Sequence, residues 1–174
     1  MIGAFADDAR WYTADVTGEH AFLLQRVQPA MVGLIDGSLS TLAPIFGIVF
    51  ATHKPLYAFI AGLVTAIGAG VSMGFSEDLS DTGELTGRGN PIVRGVITGG
   101  GTFVGGILHT LPFLIPHYKA AVITAIIVVG FELIVLAYLR WRYFEDSFLR
   151  ALGIVTVAGV IIAAVSAGLG TGIG

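Results

Sequence analysis

Cysteine is absent from this 174-residue chain, which excludes disulfides, thiolate zinc sites, iron–sulfur clusters and cysteine nucleophiles together. Charge is scarce as well. Asp, Glu, Lys and Arg make up 12% of the residues, about half of the roughly 25% usual for a soluble domain. There is no basic excess, since nine Lys and Arg stand against twelve Asp and Glu for a formal charge of -3, and nucleic acid is not the expected partner. No nucleophile, base and orienting group occur together, so neither an enzyme nor a resident cofactor is expected. What the chain does have is apolar surface and glycine: 55% hydrophobic residues, a mean hydropathy of +0.85 and 25 glycines. That composition belongs to a lipid environment.

A helix needs about 20 predominantly apolar residues to cross the hydrocarbon core. Following the charges cuts the chain into five such windows: Ala30–Ala51, Leu56–Phe75, Gly95–Ile115, Ala120–Leu139 and Ala151–Ile173. The links His53-Lys54-Pro55 and Pro116-His117-Tyr118-Lys119 are too short for anything but antiparallel neighbours. The expected fold is therefore all-α, a polytopic membrane protein with one transmembrane domain, residues 30–174, behind a polar arm, residues 1–29. The arm lacks the basic start and apolar core of a signal peptide and reads as a cytoplasmic lead-in, with a surface helix through Ala21-Phe22-Leu23-Leu24.

Orientation follows from Lys and Arg. On an alternating five-span path, Arg10, Arg26, Arg88, Arg94, Arg140, Arg142 and Arg150 share one side, and only Lys54 and Lys119 lie on the other. This places the N-terminus in the cytoplasm and the C-terminus outside.

Membrane helices associate through small residues that let backbones approach. Ala58, Gly62, Ala66, Gly70 and Gly74 recur every four residues in the second window; Gly95 and Gly99, then Gly101 and Gly105, each make a GxxxG in the third; Gly159, Ala163 and Ala167 follow in the fifth. These faces pack a bundle and offer a surface for a second copy, so a homodimer is expected. In the first window Gly33, Asp36, Gly37, Ser40, Thr41 and Pro44 fall on one helical face. Such a polar stripe faces protein or water. Pro44 cannot donate to the carbonyl of Ser40, which is left free for another partner.

A carboxylate in hydrocarbon costs at least ~2.5 to 3.5 kcal/mol, which marks Asp36 and Glu132 as functional candidates. Their places in the windows put both about 10 Å inside the cytoplasmic boundary. Met73 and Glu77 flank the same edge, one turn apart, and His109 falls toward the opposite face. Asp36, Met73, Glu77 and Glu132 together suit a divalent transition metal: oxygens supply charge, and the thioether discriminates against magnesium and calcium. Because burial favours the neutral acid, proton and metal compete for such a site. The plainer readings are hydrogen bonding to Ser or Thr for Asp36, a structural ion pair for Glu132, packing for Met73, a solvated loop for the acids after Glu77, and helix–helix packing rather than proton relay for His109.

Two segments, Asp36-Gly37-Ser38-Leu39-Ser40-Thr41-Leu42-Ala43-Pro44 and Gly68-Ala69-Gly70-Val71-Ser72-Met73-Gly74-Phe75-Ser76-Glu77, resemble the vacuolar iron transporter family, which includes the yeast-type calcium cross-complementer proteins. Leu85-Thr86-Gly87-Arg88-Gly89, His109-Thr110-Leu111-Pro112-Phe113-Leu114 and Arg140-Trp141-Arg142-Tyr143-Phe144 are similar to its bacterial branch, typified by membrane-bound ferritin iron exporters. The resemblance covers about residues 26 to 174. It implies ferrous iron, and sometimes manganese, carried out of the cytosol against protons by a homodimer with its path between the subunits, in the bacterial cytoplasmic membrane. Asp36 matches the translocating first-helix aspartate, Met73 the second-helix methionine of the path and Glu77 the acid at its mouth. Two features of the family are missing. The long metal-collecting insert after the second span is here only Ser76 to Arg94, and the arm has no paired Glu-x-x-His motifs of a ferritin-like domain. Iron storage and ferroxidase chemistry are therefore not expected of this polypeptide, and a separate ferritin-like partner, or a longer parent chain, would fill that role. A non-transporting membrane anchor for such a partner, and a manganese-selective exporter, are the rival readings.

Overall fold

The computed structural model describes residues 18–144 and 147–173, all in helices and short connections, with no strand among them. Five helices are long and apolar enough to cross a membrane: α1 Gln28–Thr52, α2 Pro55–Ser80, α3 Pro91–Leu108, α4 Tyr118–Phe144 and α5 Phe148–Ile173. A short helix, Gly18–Phe22, and a π-helical turn, Leu23–Val27, run directly into α1. The expected surface helix is thus the start of the first span, and the rest of the arm lies outside the described residues.

Local chemistry sets the boundaries. His53 closes α1 in the left-handed conformation (φ 54°), and Pro55 opens α2 at the first helical turn, where its missing N–H costs nothing. Asn90 caps α3, accepting a 3.2 Å hydrogen bond from the Val93 N–H ahead of Pro91. Three windows change most on folding. α2 continues to Ser80 and α4 to Phe144, and α3 stops at Leu108, with a 3-10 turn at Leu111–Leu114 in place of its expected last turns.

α1 is the central helix, packed on α2, α3, α5 and more sparingly on α4. Its contact with α3 is made backbone to backbone. A Cβ on Gly33 would overlap the Thr98 carbonyl oxygen, one on Gly37 that of Thr102, and one on Gly105 that of Leu34. α2 meets α3 in the same way, through Gly70 and Gly74 against Gly99 and Gly95, and Gly170 of α5 sits on the Gly47 carbonyl of α1. The glycine faces that suggested a second copy are therefore used within one chain, so they carry no argument for a dimer.

α4 has no such approach, since nothing lies within 4 Å of a Cβ placed on Gly130. It joins the bundle through side chains, with Ala121 and Ala125 in a core containing Leu42, Ile45, Phe46, Val49 and Phe113. Phe46 and Phe113 meet edge to face at 6.4 Å. Outward, α2, α4 and α5 present Val64, Val71, Phe75, Ile127, Phe131 and Val160, all more than half exposed in the single chain. Such a surface is at home against acyl chains.

Candidate functional site

Two polar clusters lie along the bundle, one at the α2–α3 end and one in its interior. At the end, Glu77 occupies the last turn of α2, where the helix dipole disfavours an acid, and Arg94 the first turns of α3, where it disfavours a base. They meet. Arg94 is fully buried; its Nε donates to Glu77 Oε1 at 2.9 Å, its Nη1 to the Gly89 carbonyl at 3.1 Å and its Nη2 to the Asp81 carbonyl at 2.8 Å. Arg88 Nη2 donates to the same Glu77 oxygen at 2.8 Å. The connecting loop is shaped for this, with Gly83, Gly87 and Gly89 at positive φ. Asp81 accepts from the Gly83 N–H at 2.8 Å and from the Thr86 hydroxyl, and these two bonds, ahead of the Arg94 and Arg88 charges, hold its carboxyl below the usual carboxylate range.

The interior cluster joins three helices. Glu132 lies near the middle of α4, because that helix runs on to Phe144, and so deeper than the window implied. Ser38 of α1 donates to Glu132 Oε1 at 2.6 Å, and Glu132 Oε2 is 2.9 Å from Nδ1 of His109. The other ring nitrogen of His109 is hydrogen-bonded to the Thr41 hydroxyl of α1. His109 is fully buried and Glu132 is 7% exposed. The early end of α3 makes this possible. Because the helix stops at Leu108, the chain turns inside the bundle and His109, its C-cap, reaches the level of Glu132. A helix continuing through Ile115 would instead carry this histidine toward the opposite face.

The four expected metal residues are distributed between these clusters and a third position. Two guanidinium groups share Glu77 Oε1, and both oxygens of Glu132 are hydrogen-bonded, to Ser38 and to His109. Asp36 is half-buried and receives only a long hydrogen bond, 3.4 Å, from Ser40 among the described residues. It lies on the same line of α1 as the exposed Val32 and Ala43, on the surface of the single chain. Met73 is half-buried on α2, one turn before Glu77. Among the described residues no three His, Asp or Glu side chains converge into a metal-holding group. The sequence stripe through Gly33, Asp36, Gly37 and Thr41 thus divides: the glycines and Thr41 turn inward to α3, while Asp36 and Ser40 stay at the edge.

Two features are set by tertiary contact rather than by local sequence pattern. Ser38 was not on the stripe, and its role needs Glu132 as a partner 94 residues away. Along α3 and just past its end, Arg94, Thr98, Thr102, Gly106 and Thr110 recur every four residues and are all buried. This four-residue spacing is visible in the sequence, interleaved with the GxxxG pairs. An apolar groove of about 440 Å³ between α2 and α3, floored by Gly70, Gly74, Gly95 and Gly99, contains none of the four expected residues. No protein-family model, curated protein or solved structure matches the chain.

Proposed function

We propose that this protein is a proton-coupled transporter that exports a divalent transition metal, ferrous iron with manganese as second cargo, from the cytoplasm. The observation that carries the reading is Asp36: a carboxylate inside a spanning helix, at the rim of the chain, without a cationic partner among the described residues. Facing lipid it would be costly; facing water, a proton or a metal it is not. Ser38, two residues on, bonds Glu132, so Asp36 sits close to the depth of the interior cluster. Met73 supplies the soft ligand that favours iron over magnesium, and the Arg-bound Glu77 stands at the mouth of the path.

One chain provides too few ligands to close around a cation, and the open line Val32–Asp36–Ala43 is where a second copy completes the site. The reading is therefore a homodimer, N-terminus cytoplasmic by its arginines, with the path between subunits, as the family resemblance implies. The preference for iron rests on that resemblance and on the ligand chemistry.

Uptake of Fe2+ and Mn2+ into proteoliposomes under an imposed pH gradient tests it. The parent is expected to move both metals, Asp36→Asn to lose more than about tenfold in rate, and Met73→Ala to discriminate less well against Mg2+. A parent that moves neither metal overturns the reading and favours a membrane anchor. Normal proton-dependent transport by Asp36→Asn removes Asp36 from the mechanism.

A further inference from the structure

We infer that Glu132 and His109 form a proton-binding site within the membrane, separate from the metal path, whose occupancy is relayed to α1 through Ser38 and Thr41. The two hydroxyls have fewer hydrogens than contacts to serve. Thr41 has one hydroxyl hydrogen and two partners, the Gly37 carbonyl at 2.9 Å and His109 Nε2. Ser38 likewise has one hydrogen for the Leu34 carbonyl at 2.7 Å and Glu132 Oε1 at 2.6 Å.

If Thr41 donates to Gly37, then Nε2 must carry a hydrogen and donate to Thr41. Nδ1 and Glu132 Oε2 then share one more proton, either as imidazolium and carboxylate or as neutral imidazole and carboxylic acid. Either way the pair holds two protons and is neutral overall, the arrangement a buried pair favours. Release of one proton to water leaves an Nδ1–H donating to the carboxylate and a bare Nε2. Thr41 must then turn its hydrogen from Gly37 to Nε2. A third proton, on Glu132 Oε1, would turn Ser38 toward Leu34 instead. Each change of proton number thus rewrites a bond to the backbone of α1 by rotating a hydroxyl, with no bond between heavy atoms made or broken.

No other ionisable group competes for this role from the packed elements. α1 brings only hydroxyls to the pair, and Asp36 lies on its rim. α2 has no ionisable side chain between Tyr57 and Glu77, α5 carries only Arg150 near its start, and Arg94 is at the far end of α3, bound to Glu77. On α4 the nearest ionisable residues to Glu132 are Tyr138 and Lys119, one well along the helix on either side. Thr98, on the buried face of α3 between Arg94 and His109, has a hydroxyl without a hydrogen-bond partner, so the only unpaired hydroxyl on that face lies toward the α2–α3 loop.

The proton site itself stands on this geometry alone; its coupling to transport rests on the metal-transport reading, and two measurements keep them apart. Imidazole 15N NMR of the full chain in nanodiscs follows His109, its resonances assigned by loss in His109→Gln. The site predicts a change in ring protonation across the pH range in which the protein stays folded, displaced in Glu132→Gln. A single, unchanged ring state across that range in both proteins overturns the site, whether or not metal moves. Protons and Mn2+ counted together in proteoliposomes read the coupling. Glu132→Gln is expected to carry Mn2+ with at least one proton fewer per metal, and His109→Gln to show the same deficit. An unchanged ratio in both variants overturns the coupling, and a parent that moves no metal overturns the transport reading while the NMR result still decides the proton site.

Discussion

At the scale of single residues, glycine sets how closely the helices approach. Gly37 is in the interior of α1, where alanine would ordinarily strengthen the helix by up to about 1 kcal/mol. Here the added methyl would overlap the Thr102 carbonyl, which belongs to backbone and cannot swing aside. Gly37→Ala should therefore destabilise by about 1 to 3 kcal/mol, seen as a lower thermal unfolding midpoint in detergent. Gly153→Ala, with nothing within 4 Å of the new methyl, should be unchanged or slightly raised. Equal effects at the two sites would show that the α1–α3 contact is looser than described. The small-residue spacing was legible in the sequence because it is periodic, but a period does not name the opposing helix. The same limit hid Ser38: a lone serine beside a polar stripe signals nothing until Glu132 is brought to it across the bundle.

At the scale of elements, the five spans were legible because each is an apolar stretch of bilayer length, and their ends were less so. The sequence placed α2's end before Ser76 on account of its acids, yet paired with Arg88 and Arg94, Glu77 continues the helix. It carried α3 to Ile115 on hydropathy alone, where Pro112 and the 3-10 turn end it sooner. The candidate site depends on that early end, which sets His109 beside Glu132 inside the bundle rather than toward the opposite face. The loop between α2 and α3 also has its own acid sensitivity. Asp81 has a depressed pKa, so its contribution to stability is fully present above the unfolded carboxyl range and is lost as pH falls through the lower folded value, below the usual 3.8. The parent should lose unfolding temperature on acidification through that window. Asp81→Asn should start lower at neutral pH and change less there, so that the two converge in acid. Parallel curves would mean that Asp81 does not hold the loop.

At the scale of the whole molecule, the apolar exterior of α2, α4 and α5 fits lipid, and the proposed second subunit would meet the open line of α1. The cysteine-free chain allows a direct test. Ala43→Cys, exposed on the line of Asp36, should cross-link to a covalent dimer on oxidation in native membranes, whereas Val64→Cys, on the lipid face of α2, should remain monomeric. The reverse pattern would place the partner on the other side.

The uneven fastening of the helices has one more consequence. Where peptide planes of α1 and α3 lie in contact, the two spans cannot slide without lifting whole turns out of register, so they travel as one rigid body with α2. α4 is secured by buried alanines and leucines and by a four-residue polar clasp, without such a backbone contact at its one glycine, so it is the least tightly keyed of the four. An alternating-access cycle in this bundle would therefore pivot on its fourth span, with a histidine's proton as the catch.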